Sequence, residues 1–221
     1  MDRTYRMADT HPFSNMAASG VHAKALGLAE DHLRKDSKIL IAGSGEGGLE
    51  YQLLEKGTDA SAISALDINP DQYTIDDIEC QYCDLNGRIP FDDASFDVCF
   101  SIEVIEHLNN PQNIINEVHR ILKPDGMLFL STPNLNSIAQ KLRFLFSDEF
   151  QWFRDKDFER IGHIHPIFDW LLKRMIRERF ELIGYDAPTF QFRLLTKSPG
   201  IPLPVKSRLF ADINIYALKR L

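Results

Sequence analysis

One segment, Lys38-Ile39-Leu40-Ile41-Ala42-Gly43-Ser44-Gly45-Glu46-Gly47-Gly48, constrains the fold more than any other. An apolar run bounded by turn residues reads as a buried strand, here 38–43, and the glycines that follow let backbone approach a ligand closely. A strand that delivers such a loop into a helix is the opening unit of an α/β sheet, with free N–H groups at the helix start for an anionic or polar group. Two glycine spacings overlap. Gly43, Gly45 and Gly48 fit the G-x-G-x-x-G of a dinucleotide loop, whereas Gly43, Gly45 and Gly47 fit the alternating glycines of a methyl-donor loop. Ile41 stands where many methyl-donor loops carry a carboxylate.

The rest of the chain extends this unit. Val21, Ala25, Leu26, Leu28, Ala29 and Leu33 recur at helical spacing over 20–34, so 1–37 reads as an N-terminal helical segment. After the loop, a short helix with Leu49, Tyr51, Leu53 and Leu54 stops at Gly57. Strands are predicted at 62–67, 78–83, 96–102 and 127–131. A helix is predicted from Pro111, with Asn110 as its N-cap, to the breaker cluster Lys123-Pro124-Asp125-Gly126. Strands alternating with helices predict a parallel, doubly wound sheet in one α/β domain spanning 1–221. An amphipathic helix follows at 166–179, carrying Leu171, Leu172, Met175 and Ile176 on one face. Two long strands, 180–192 and 209–219, close the chain; the Pro-rich connection SPGIPLPVK between them favours an antiparallel pair.

Composition narrows the function classes. A formal charge of −7 argues against a large nucleic-acid footprint, and Lys173, Arg174, Arg177 and Arg179 read as a solvated helix face. The N-terminal stretch has no apolar h-region, and no apolar run approaches a membrane span. Cys80, Cys83 and Cys99 show no disulfide pattern, which points to a reducing, cytoplasmic setting. Cys80 and Cys83 form a lone C-x-x-C inside a strand, which would send the two thiols to opposite faces. That arrangement reads as structural rather than metal-binding.

In an open parallel sheet the ligand lies outside the carboxyl ends of the strands, so the strand ends are read together. The first supplies Gly43, Ser44, Gly45 and Gly47; the second supplies Asp67 and Ile68; the third supplies Asp84 and Leu85; Ser101 closes the fourth. A carboxylate at Asp67 can accept from the ribose hydroxyls of either an NAD or a methyl donor. Asp84 suits the exocyclic amine of adenine, with Leu85 against the ring. Glu46 would repel a pyrophosphate, and the acidic set Glu46, Asp67, Asp84 and Glu103 leans toward a cationic cofactor.

Asp84-Leu85-Asn86, the run Ile89 to Val98, Glu103-Val104-Ile105-Glu106-His107-Leu108, the run Glu117 to Gly126 and Ser131-Thr132-Pro133-Asn134 together resemble the class I S-adenosylmethionine-dependent methyltransferases. The likeness is greatest to the branch with quinone-biosynthesis and small-molecule or sugar O-methyltransferases, and Gly162-His163-Ile164-His165 is similar to it too. The resemblance implies a Rossmann-like, seven-stranded methyltransferase sheet with a C-terminal antiparallel hairpin. It also implies S-adenosyl-L-methionine as cofactor and methyl transfer to a small-molecule acceptor at a hydroxyl oxygen. A non-catalytic protein that keeps the fold stays open because of Ile41. An NAD-dependent oxidoreductase would want a Tyr-x-x-x-Lys pair, which the sequence lacks.

Methyl transfer to oxygen needs positioning and a base for the departing proton. Glu103, Glu106 and His107 follow the fourth strand and share one face if the piece is helical, with His107 the base and a glutamate orienting it. Two other readings stand: a structural or capping role, and a divalent metal held by these three with His163 or His165. The aromatics Phe144, Phe146, Phe150, Trp152, Phe153, Phe158, Phe168 and Trp170 mark 135–170 as a substrate lid, or else as a satellite core or homodimer contact.

Overall fold

The apolar runs become strands in the computed structural model, which describes residues 16–187 and 209–221. The strand that leads into the glycine loop, β1 (Ile39–Ala42), is buried at every position, as covering on both faces requires. On one side of it lie β2 (Ile63–Asp67) and β3 (Cys80–Tyr82). On the other lie β4 (Phe96–Ile102), β5 (Leu122–Pro133), β7 (Ile213–Arg220) and β6 (Phe180–Asp186), giving the order β3-β2-β1-β4-β5-β7-β6. The first five strands run parallel, and β7 is antiparallel to both β5 and β6. This is the seven-stranded sheet that the resemblance implies, with the antiparallel C-terminal pair that the Pro-rich connection predicts. Residues 1–15, the Pro-rich connection and the stretch of the predicted strand beyond 187 lie outside the described residues.

Helices cover both faces. The pleat of β1 sends Ile39 and Ile41 into a layer with Val21 and Ala25 of α1 (Met16–Ala29) and Leu49 and Leu53 of α2 (Gly48–Glu55). Leu40 and Ala42 enter the opposite layer, with Ile115 of α3 (Pro111–Ile121) and Leu172 of α6 (Asp169–Ile176). Cys80 packs with the first layer and Cys83 with the second; both are free thiols on opposite sides of the sheet. Among the described residues no helix is long and apolar enough to cross a membrane.

Several boundaries differ from the sequence reading. The first helix begins at Met16 and gives way at Ala29 to a 3-10 turn, Glu30–His32. Between β2 and β3 the crossover holds only the 3-10 turn Pro70–Gln72. Asn110 makes no capping side-chain bond, so Pro111, with its φ already helical, sets the start of α3. That helix ends at Ile121, because Leu122 already pairs with Phe96. Lys123-Pro124-Asp125-Gly126 therefore falls within β5, where Asp125 takes φ +62° and its carboxylate meets Lys219 Nζ at 2.8 Å.

One side chain fastens α3 to the segment that enters β4. Arg120 donates to the carbonyls of Phe91 (2.8 Å) and Ile89 (2.9 Å), to Asp93 (2.8 Å) and to Glu117 (2.7 Å). Glu117 in turn accepts from the Ile89 N–H at 2.9 Å, and the Arg120 guanidinium holds its carboxyl below the usual range. Replacing Arg120→Ala strands a carboxylate and two carbonyls, and should lower stability by about 2–4 kcal/mol in urea denaturation. Arg120→Lys should recover little of this, since an ammonium lacks the planar fork that serves several acceptors.

Candidate active site

The chain leaves β1 toward β2 and returns on its other side at β4, which opens a crevice at the carboxyl ends of these strands. A cavity of about 640 Å³ lies there, walled by the glycine loop, the ends of β2 and β4, the stretch after β3, and residues from α1 and from beyond β5. Gly43, Gly45 and Gly47 take φ of +92°, +53° and +92°, a conformation few side chains adopt. A methyl at Gly43 would run into Val104, and one at Gly47 would lie 2.5 Å from Ile75 Cγ1. Crowding as well as conformation fixes the loop's spacing.

Asp67 holds this loop. Its carboxylate accepts from the Gly45 N–H at 2.8 Å, the Asn69 N–H at 2.8 Å and Gln72 Nε2 at 3.4 Å, and only 7% of the residue is exposed. Ile68, at 62%, projects along the wall. Asp84 closes a turn by accepting from the backbone and side-chain N–H groups of Asn86, both at 2.9 Å, and Leu85 is buried beside it. Gly43, Ser44, Gly45, Asp67, Ile68, Asp84 and Leu85 thus line one cavity. Gly47 shapes the loop without lining the wall. Ser101 is buried inside β4 at 1% exposure and does not reach the wall either.

Glu103, Glu106 and His107 do not share a helical face. Glu103 takes φ +57°, and a 3-10 turn, Ile105–His107, begins only after it. The carboxylate of Glu103 accepts from Ser131 Oγ at 2.8 Å. Glu106 points elsewhere: it is fully buried, and neither carboxylate oxygen has a hydrogen-bond partner among the described residues. His163 fills the place that sequence spacing could not assign, with Nε2 3.9 Å from Glu106 and its ring edge-on to His107 at 4.5 Å. One ligand atom each from Glu106, His107 and His163 falls within 4.8 Å of the others. His165 lies apart, its Nδ1 2.7 Å from the Leu108 carbonyl. Burial raises the Glu103 carboxyl; burial and the Glu103 charge raise Glu106. Burial lowers His107, and lowers His163 to about 4, so both rings are neutral at neutral pH.

The stretch after β5 builds α4 (Ile138–Ser147) and α5 (Asp155–Ile161). Its aromatics stack on one another, Phe144 on Phe150 at 4.6 Å and Phe150 edge-on to Phe168 at 5.6 Å. Only Ile161 and Gly162 of this stretch reach the wall. Sequence reading missed Gln72, Val104 and His22 as wall residues; His22 shares the apolar helical spacing of Ala25 and Leu26, the one signal that could have flagged it.

Behind the loop sits another buried acid. Glu50, in the first turn of α2, is 0% exposed with both oxygens unpartnered among the described residues, and Tyr73 Oη nearby is likewise buried and unpartnered. Burial pushes Glu50 up from 4.5 to about 7, against the pull of Ser44. A carboxyl raised in the folded state favours folding below its unfolded pKa, and that contribution is lost as pH rises toward the folded value. Glu50→Gln should therefore match the wild type in thermal melts near pH 4.5 and exceed it by up to about 3 kcal/mol at pH 8.

Residues 40–130 match a family described as a methyltransferase domain. The chain is 30% identical over 136 residues to the ubiquinone biosynthesis O-methyltransferase of Glaesserella parasuis, covering 60% of this chain and 52% of that protein. It is 33% identical over 101 residues to the enzyme of the same name from Rickettsia typhi, covering 44% and 41%. The chain thus spans about half the length of the curated relatives it matches. Its fold superposes on a SAM-dependent methyltransferase from Archaeoglobus fulgidus with a TM-score of 0.63 at 16% identity, over 93% of this chain and 95% of that one. Residues 40–130 thus carry a methyltransferase domain, and with its glycine loop, its strand-end carboxylates and its seven-stranded sheet the chain is similar to the class I S-adenosylmethionine-dependent methyltransferases, the quinone-biosynthesis O-methyltransferases among them.

Proposed function

We propose that the chain transfers a methyl group from S-adenosylmethionine to a hydroxyl oxygen of a small-molecule acceptor. The observation that carries this reading is the charge of the cavity wall. Among the described residues it includes Glu46, Asp67, Asp84 and Glu103 but neither lysine nor arginine, a setting that suits a sulfonium and an ammonium and disfavours a pyrophosphate. In this reading Asp67 keeps lone pairs for the ribose hydroxyls while bracing the loop, and Asp84 accepts from the adenine amine with Ile68 and Leu85 against the ring. His107, on the same wall and neutral, takes the acceptor's proton as oxygen attacks the methyl carbon in line with the departing sulfur. Ile161 and Gly162 bring the stretch 135–170 over the mouth as a lid that excludes water.

A second reading rests on the unpartnered Glu106. A buried carboxylate beside two neutral imidazoles fits a divalent cation, with Glu106, His107 and His163 as its ligands. Bound there, a cation would supply charge compensation and polarise an acceptor hydroxyl.

Calorimetry separates the donor classes: S-adenosylmethionine and S-adenosylhomocysteine should bind and NAD should not. Asp67→Ala should weaken donor binding tenfold or more, since it removes a charged acceptor and loosens the loop. His107→Ala should keep donor affinity within about twofold and reduce methyl transfer to a panel of hydroxylated small molecules by roughly 10²–10⁴. Full transfer after chelation would discard the cation reading. Loss of transfer, restored by added divalent metal in the wild type but not in Glu106→Gln, would put a cation in place of the free base.

A further inference from the structure

We propose that His22, reaching the cavity from α1, receives the carboxylate at the amino-acid end of the methyl donor. The assignment rests on the donor reading above and names a contact made from outside the glycine loop. It begins with Ile41. The β1 pleat turns that side chain into the layer beneath α1, where it is 2% exposed among Val21, Ala25 and Phe100. No polar group can reach the donor from there. The helix packed over that layer supplies one instead, because His22 lies three residues before Ala25 and four before Leu26, on the face that α1 turns inward. It shares the wall with Gly43, Ser44 and Gly45.

Elimination leads to the same residue. A carboxylate accepts from N–H and O–H groups, and the described residues of the wall, which include neither lysine nor arginine, offer His22, Ser44, Gln72, Asn86 and His107 as side-chain candidates. Ser44 donates its hydroxyl to the Ile41 carbonyl at 3.4 Å. Gln72 donates to Asp67, and Asn86 donates to Asp84. His107 stands edge-on against the His163 ring at 4.5 Å. Glu46, although close to the loop, is an acid and would repel the group. His22 is uncommitted: its Nδ1 is buried with no partner among the described residues. A proton on that nitrogen would be buried without an acceptor, so the favoured tautomer carries it on Nε2, available to a ligand. Burial lowers the ring to about 4, so it offers this N–H while neutral, without a fixed charge against the apolar layer.

The test compares two ligands that differ at the amino-acid end. S-adenosylhomocysteine carries the carboxylate, and 5′-methylthioadenosine keeps the nucleoside and the sulfur without it. By calorimetry, His22→Ala should bind S-adenosylhomocysteine roughly tenfold or more weakly than the wild type while binding of methylthioadenosine stays within about twofold. Unchanged affinity for S-adenosylhomocysteine overturns the proposal. So does an equal loss for both ligands, which would show that His22 only supports α1. If His22→Ala melts below the working temperature, His22→Phe keeps the ring, removes the N–H, and is read with the same pair. Wild-type protein that binds neither ligand overturns the donor reading itself, an outcome seen before any variant is made.

Discussion

The site depends on one hydrogen bond, from the Gly45 N–H to the Asp67 carboxylate at 2.8 Å. It joins the loop after β1 to the end of β2, reinforced by the Gly43 and Ser44 N–H groups on the Leu66 carbonyl at 2.8 and 3.0 Å. A loop built from left-handed glycines has little conformational preference of its own, so an external acceptor must select one state. Asp67 does so with the same group that faces the cavity. The geometry of the loop and the shape of the cavity wall are therefore coupled, and a change at either strand end is felt at both.

Buried acids give the site its second character. Glu50 beneath the loop and Glu103 and Glu106 after β4 are all withdrawn from water, and burial raises each carboxyl. Acids held in this state stabilise little by themselves. Of the three, Glu103 lines the cavity while Glu50 and Glu106 stand behind its wall, so their charge responds to protonation and to what binds beside them. Fixed ion pairs gather around Arg120 and Asp97, at the other end of the sheet.

Much of this was legible in the sequence, for identifiable reasons. Apolar runs such as Ile39–Ala42 and Val98–Phe100 mark buried parallel strands, and Asp67 and Asp84 follow from their places at strand ends. What stayed hidden depends on local backbone or on distance along the chain. The left-handed Glu103 and the 3-10 turn after it undo the helical face that would have gathered Glu103, Glu106 and His107. His163 joins Glu106 only because the Ile164 and His165 N–H groups both donate to the Glu106 carbonyl, at 3.0 and 2.9 Å, a pairing no spacing rule announces. Ser101 has the right position in sequence but is buried away from the cavity wall.

The placement of β7 bears on how the molecule is made. It is the last of the seven strands in the chain, yet it lies between β5 and β6 and bonds to both. During synthesis from the N-terminus, β6 emerges before its own partner strand, and the edge of β5 stays open. Both must wait for the β7 residues 213–220 to clear the ribosome. For that interval the nascent chain carries two unpaired edges and an uncovered apolar face. It is then most exposed to wrong pairing and most in need of a chaperone's cover.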